Sequence, residues 1–140
     1  MKAYQHQIQY YETDRMGITH HSNYIRFMEE ARTDLLIQLG YPYDRLESEG
    51  IISPVTAVAA DYKATSTFGD VLTITTKVVL VKAAKLVLDY QMVNQDGVLV
   101  FKGHSEHGFL DKNGKFVSLK KQNPDFYQVL VNQLEEDRHV

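Results

Sequence analysis

The chain has no cysteine, which removes disulfides, thiolate metal ligands and cysteine nucleophiles at once. It has no excess of positive charge either. A net charge of -3 and a pI near 6.0 argue against a surface dedicated to nucleic acid or to anionic membrane. The first residues, MKAYQHQIQYYETD, turn polar at once and hold no apolar signal core. No stretch is long and apolar enough to span a bilayer. No internal repeat, linker or low-complexity segment interrupts the chain. These absences predict a cytoplasmic protein with no membrane span and no nucleic-acid partner. What is present is ordinary for a globular chain. With 140 residues, 44% of them hydrophobic, one compact domain over residues 1–140 with a single core is expected, and oligomerisation would help it.

Residues 4 to 11 alternate, with Tyr4, His6, Ile8 and Tyr10 on one face, which predicts a half-buried strand. From Asn23 the period changes. Tyr24, Phe27, Met28, Ala31, Leu35 and Leu39 follow helical spacing and form one apolar stripe. Ser22 or Asn23 is placed to cap this helix, and Gly40 to end it. YPYDRLESEG reads as a connection with one helical turn. Then come strand-like runs, VTAVAADYKA, VLTITTKVVLV, KLVLDYQMV and VLVFKGHSEHGFL, separated by turn signals at Phe68-Gly69-Asp70, Ala83-Ala84 and Asn94-Gln95-Asp96-Gly97. Asp111-Lys112-Asn113-Gly114 is a further turn, and Asn123-Pro124 opens a short C-terminal helix. Strands joined in succession by tight turns imply an antiparallel sheet, one face of which can wrap around the long helix. The expected fold class is therefore α+β. The sheet's edges need cover or pairing, which dimerisation commonly supplies.

The segment YETDRMGITHHSNY, residues 11 to 24, joins the first strand to this helix. It carries a carboxylate at Asp14, a glycine at Gly17 and the pair His20-His21. The run Tyr11-Glu12-Thr13-Asp14-Arg15-Met16-Gly17-Ile18, followed by His21-Ser22-Asn23-Tyr24, resembles the 4-hydroxybenzoyl-CoA thioesterase-like branch of the hotdog-fold proteins. It is most similar there to bacterial acyl-CoA thioesterases of the Tol-Pal-associated type. Glu29-Glu30-Ala31-Arg32-Thr33 and the turn around Thr67-Phe68-Gly69-Asp70 extend the resemblance, which covers roughly residues 5 to 117. It implies a hotdog fold, a homodimer or homotetramer, and hydrolysis of an acyl-CoA thioester without metal or organic cofactor. It implies that Asp14 is the catalytic carboxylate, and that His21 lies at the helix start with its backbone N–H toward the thioester carbonyl. Arg15-Met16 departs from the small residues often found after the family's Asp. Gly17 and Tyr24 fall in the same motif and are expected at the substrate. Lys82 and Lys85 match a turn that carries basic residues near the CoA phosphates. Ser53 matches a strand near the active site across the dimer interface.

The chemistry suits these residues. Thioester hydrolysis builds negative charge on the carbonyl oxygen, and a helix N-terminus offers free N–H donors and a positive dipole end. Gly17 lets the loop turn tightly enough to bring Asp14 toward the same point. Asp14 then attacks the carbonyl or deprotonates a water, and the sequence leaves both routes open. His104 and His107 fall on opposite faces of a strand, which argues against a shared metal. Two other readings remain: a thioesterase acting on an acyl carrier protein, and a hotdog dimer that binds an acyl thioester or a partner without turnover.

Overall fold

The computed structural model describes residues 1–139. The elements run β1 (Tyr4–Gln7), a 3-10 turn (Tyr10–Glu12), α1 (Asn23–Gln38), α2 (Tyr43–Ser48), β2 (Val55–Tyr62), β3 (Val71–Lys82), β4 (Lys85–Val93), β5 (Leu99–His107), α3 (Leu119–Gln122) and α4 (Pro124–Arg138). The five strands form one antiparallel sheet in the order β1-β3-β4-β5-β2. The α+β architecture expected from the sequence is what forms: a long helix held against one face of an antiparallel sheet.

The apolar stripe of α1 explains the packing. Tyr24, Phe27, Met28, Ala31, Leu35 and Leu36 are all buried, against Leu72, Ile74, Leu88, Met92 and Phe101 of the sheet. Each of the larger aliphatic and phenylalanine side chains among them contributes roughly 1.5–3 kcal/mol on full burial. The polar member of the stripe, Arg32, is only 4% exposed and is tied to the Glu29 carboxylate and the Ser53 carbonyl. That pairing removes the penalty of a bare buried charge.

Two expectations change. The first strand stops at Gln7 rather than reaching Tyr11. Ile8 still points inward at 0% exposure, but Tyr10 and Tyr11 are each 77% exposed. The reason lies in Glu12, whose carboxylate accepts the Gln9 N–H at 2.7 Å while its own N–H donates to the Gln9 carbonyl at 3.0 Å. These local bonds coil the chain into the 3-10 turn and outcompete a strand ladder. The C-terminal helix is longer than its short reading, 15 residues from Pro124 to Arg138. Asn123 caps it by accepting the Phe126 N–H, and Pro124 opens it. Phe126 and Leu130 join the same core, so α1 is not the only cover on that face.

Strand β2 is the exception to good burial. It is paired on one side only, to β5, and seven of its eight residues are exposed. Val55, Val58 and Tyr62 are among them, at 46%, 45% and 49%.

Candidate active site

Asp14 stands at the tip of a small hairpin. Its base is closed by the His20 N–H donating to the Glu12 carbonyl at 2.8 Å. Thr13 bridges Thr19, and the Asp14 N–H donates to the Ile18 carbonyl at 2.8 Å. The Gly17 N–H closes the turn onto the Asp14 carbonyl at 3.0 Å. Gly17 has φ +79°, the left-handed region that a residue with a Cβ enters only with strain. One carboxylate oxygen of Asp14, Oδ1, accepts the Met16 N–H at 2.9 Å. The other, Oδ2, has no hydrogen-bond partner among the described residues. Asp14 as a whole is half-buried.

A second strap fixes the hairpin to the β2–β3 connection. Thr19 N–H donates to the Ser66 carbonyl at 2.8 Å, and the Thr67 hydroxyl donates to the Gly17 carbonyl at 2.8 Å. The Ser66 hydroxyl meets Thr19 Oγ1 and the Tyr24 hydroxyl, each at 2.7 Å. Tyr24 was expected at the substrate. It is instead 3% exposed, stacked on Phe101 with ring centroids 5.1 Å apart, and its hydroxyl is committed to Ser66. Its part is to hold the loop from below.

At the start of α1, His20 and His21 stack with centroids 4.3 Å apart. Ser22 occupies the cap position, but its hydroxyl bonds His20 Nδ1 at 2.8 Å instead of a helix N–H. The Asn23 amide reaches back to the Glu12 carbonyl at 2.9 Å. Neither side chain caps the helix. The Asn23 and Tyr24 N–H groups close turns onto the His20 and His21 carbonyls. The His21 N–H has no acceptor among the described residues. The His21 carbonyl also accepts the Tyr62 hydroxyl from β2 at 3.1 Å. Among the described residues no hydrogen bond or ion pair joins Asp14 to His21; each is fixed separately to the same scaffold.

The remaining expected residues are dispersed. Ser53 donates its hydroxyl to the Gly108 carbonyl at 3.0 Å. Lys82 and Lys85 face each other across the β3–β4 turn. Lys85 is paired with Glu106 at 2.6 Å, whereas Lys82 is exposed and makes no ion pair among the described residues. His104 and His107 do face opposite ways. His104 lies on the outer face between Asp89 and Glu106, and hydrogen bonding to Asp89 raises its pKa. His107 is 1% exposed, bonded to Ser105 at 2.7 Å, and burial pushes its pKa down to about 3. Among the described residues no group of three or more His, Asp or Glu is arranged to hold a metal.

Glu12 was missed as a site residue. It is completely buried, with His6, Arg26 and the Gln9 N–H around its carboxylate. Alternation gave no signal for it, because the strand stops at Gln7 and Tyr10, of the same parity, is 77% exposed; the burial of Glu12 follows from its partners His6 and Arg26 in other elements.

A groove of about 620 Å³ runs beside α1, lined by Ser22, Ile25, Met28, Val55 and Val58 with Glu29 at its side. It begins next to His21 and opens along β2, the edge strand paired only to β5. A more polar concavity on the outer face of the sheet, among Asp61, Lys77, Asp89 and Lys102, has no lining residue from the Asp14 hairpin.

The fold and this site can be set beside known proteins. Residues 8–134 match the profile of the thioesterase-like superfamily. YneP of Bacillus subtilis (strain 168), provisionally named an acyl-CoA thioesterase, is 34% identical over 122 residues, covering 86% of this chain and 88% of the relative. YbgC of Escherichia coli O157:H7, an acyl-CoA thioester hydrolase, is 28% identical over 66% of this chain and 69% of its own. The crystal structure of a DHNA-CoA thioesterase from Staphylococcus aureus superposes with a TM-score of 0.92 at 28% identity, over 99% of this chain and 93% of that one. The chain therefore belongs to the thioesterase-like superfamily, the hotdog-fold hydrolases of acyl thioesters.

Proposed function

We propose that this chain hydrolyses an acyl-CoA to a carboxylic acid and free CoA, with Asp14 as nucleophile or general base and the His21 N–H as donor to the carbonyl oxygen. The observation that carries the reading is the pairing of two unengaged groups. Asp14 keeps one carboxylate oxygen without a partner, and the His21 N–H at the head of α1 lacks an acceptor. One is a base or nucleophile, the other an oxyanion donor in the favourable field of a helix N-terminus. The names carried by relatives support CoA as the thiol. The groove beside α1 suits the acyl group, because its walls are mostly apolar and it begins at Ser22. Gly17 shapes the turn, and Lys82 is the better placed of the two lysines for the CoA phosphates, since Lys85 already has Glu106.

The same reading includes a homodimer or homotetramer. Strand β2 leaves one edge unpaired and its valines exposed, and the groove opens onto that edge. A second copy would cover both, and would bring Ser53 nearer to a shared site.

The test is Asp14→Asn, which keeps size and shape and removes the charge. Thiol release from a panel of acyl-CoA chain lengths, with one acyl-carrier-protein substrate included, should fall by roughly 10²-fold or more in kcat. The melting temperature should stay near the parent's. His21→Ala should be milder, since the backbone N–H remains. A well-folded Asp14→Asn protein that turns over its best substrate within a few-fold of the parent rules the mechanism out.

A further inference from the structure

We infer that Glu12 is a positioning residue that sets the distance between the Asp14 hairpin and the head of α1. The inference rests on the catalytic reading of Asp14 above, and adds what aims it.

Glu12 holds both ends of the loop at once. Through its backbone carbonyl it accepts the His20 N–H at 2.8 Å and the Asn23 side-chain amide at 2.9 Å. The first bond closes the base of the hairpin whose tip is Asp14. The second ties that base to the first residue of α1. Through its side chain it is pinned in turn. One carboxylate oxygen takes His6 Nε2 at 2.8 Å and the Gln9 N–H at 2.7 Å. The other takes the Arg26 guanidinium, one turn into α1. Arg26 also bonds Glu30 at 2.8 Å, and His6 Nδ1 meets the same Glu30 at 3.1 Å. Two carboxylates and two basic side chains thus interlock β1, the 3-10 turn and α1.

Two features separate this from an ordinary buried ion pair. First, Glu12 is 0% exposed and two residues from Asp14, so no flexible segment lies between the anchor and the hairpin's ladder. Second, its side-chain partners are His6 of β1, Gln9 at the cap of the 3-10 turn and Arg26 at the head of α1, and its carbonyl adds His20 and Asn23, so the bonds span the parts that must hold a fixed separation for one carbonyl to meet both Asp14 and the His21 N–H. Catalytic groups lose about 10²-fold in rate for a displacement near 1 Å. Asp14 sits on a loop, and loops hold such tolerance only when braced.

The test is a double-mutant cycle with hexanoyl-CoA or benzoyl-CoA, whichever the parent hydrolyses faster. Glu12→Gln keeps the shape but removes the charge that holds Arg26 and His6. It should lower kcat by about 10- to 100-fold with little change in KM. Placed on Asp14→Asn, it should lower the residual rate no further, because there is no longer a carboxylate to aim. Asn23→Ala, which removes the amide bond to the Glu12 carbonyl and a 3.3 Å bond from Arg26 to Asn23 Oδ1 but leaves the Glu12 carboxylate in place, should show the same pattern more weakly, and it carries the test if Glu12→Gln does not fold. Equal fold-losses in the parent and Asp14→Asn backgrounds mean general loosening and overturn the inference. So does a Glu12→Gln protein within two-fold of the parent in kcat while Asp14→Asn is inactive, and in that case the reading of Asp14 stands. If Asp14→Asn itself stays active, the catalytic reading fails first and the positioning role with it.

Discussion

Gly103 and Gly108 offer a paired test of how the sheet receives α1. Both lie at or just beyond the C-terminal half of β5, and both are crowded where a side chain would begin. A Cβ on Gly103 would sit 2.7 Å from Phe101 Cε1 and 2.8 Å from Met28 Sδ. A Cβ on Gly108 would sit 2.8 Å from Phe116 Cε1. Ordinary carbon contacts begin near ~3.5 Å, so each substitution demands a shift of roughly 0.7 Å. The neighbours differ in what they can do about it. Phe101 and Met28 are 0% and 2% exposed, locked between sheet and helix. Phe116 is 70% exposed and free to swing aside. Gly103→Ala should therefore cost about 1–3 kcal/mol, the usual range for overpacking, and lower Tm by roughly 3–12 °C in a chain of this size. Gly108→Ala should change stability by less than about 0.5 kcal/mol. Because Met28 lies on α1, relief at Gly103 pushes that helix outward and carries its N-terminus with it. A loss of kcat should accompany the loss of stability there and not at Gly108. The assay is a thermal melt with urea midpoints for both variants, plus thiol release. Equal melting temperatures for the two would refute the claim that buried neighbours, rather than clash distance, set the penalty.

Three further outcomes are expected. Replacing Lys82 and Lys85 with Ala should raise KM for acyl-CoA and leave kcat largely intact, with little effect on N-acetylcysteamine thioesters, which lack the nucleotide; equal losses on both substrates would exclude phosphate contacts. His107, with its pKa lowered to about 3 mainly by burial and further by the charge of Arg32, should make stability fall with acid. Below its ordinary value of 6.5 the unfolded chain takes up a proton that the folded chain refuses, so stability present above pH 6.5 is lost as pH drops toward 3. The loss from this group between pH 7 and 5 should be about 2 kcal/mol, to be read by urea titration at each pH, and His107→Gln should shed less. His104 has the opposite sign, its raised pKa adding stability on the acid side, and it is common to both proteins, so the difference between them isolates His107; parallel pH profiles would contradict the assignment. Sedimentation at micromolar concentration should give a dimer or tetramer, and a monomer would count against the closure of β2 by a second copy.

Much of this was legible in the chain because it depends on local periodicity. The stripe from Tyr24 to Leu35 marked α1, and the β-branched runs with their Gly and Asn turns marked β3, β4 and β5. The Asp14–Gly17 turn was legible for a similar reason, since an Asp three residues before a Gly is local turn chemistry. What stayed hidden depends on contacts across the fold. That the first strand ends at Gln7 follows from the Glu12 carboxylate reaching back to Gln9, held by Arg26 from another element. Tyr24 read as a site residue by its place in the motif, yet only its distance from Ser66 and Phe101 assigns it to the core. The engagement of Lys85 by Glu106 and of the Ser53 hydroxyl by the Gly108 carbonyl likewise joins residues far apart in sequence.

The strand order has a consequence for synthesis. β3, β4 and β5 form a meander in which each strand meets the one just made, so their pairing can follow the growing chain closely. β2 precedes all three yet pairs with the last of them. Its VTAVAA segment therefore leaves the ribosome as an uncharged, strand-prone stretch and waits for two further strands before it finds a partner. Even then one edge stays open. The protein's exposure to aggregation is concentrated in that interval, and lower temperature during expression, which weakens apolar association, should raise its soluble yield more than any change to the meander itself.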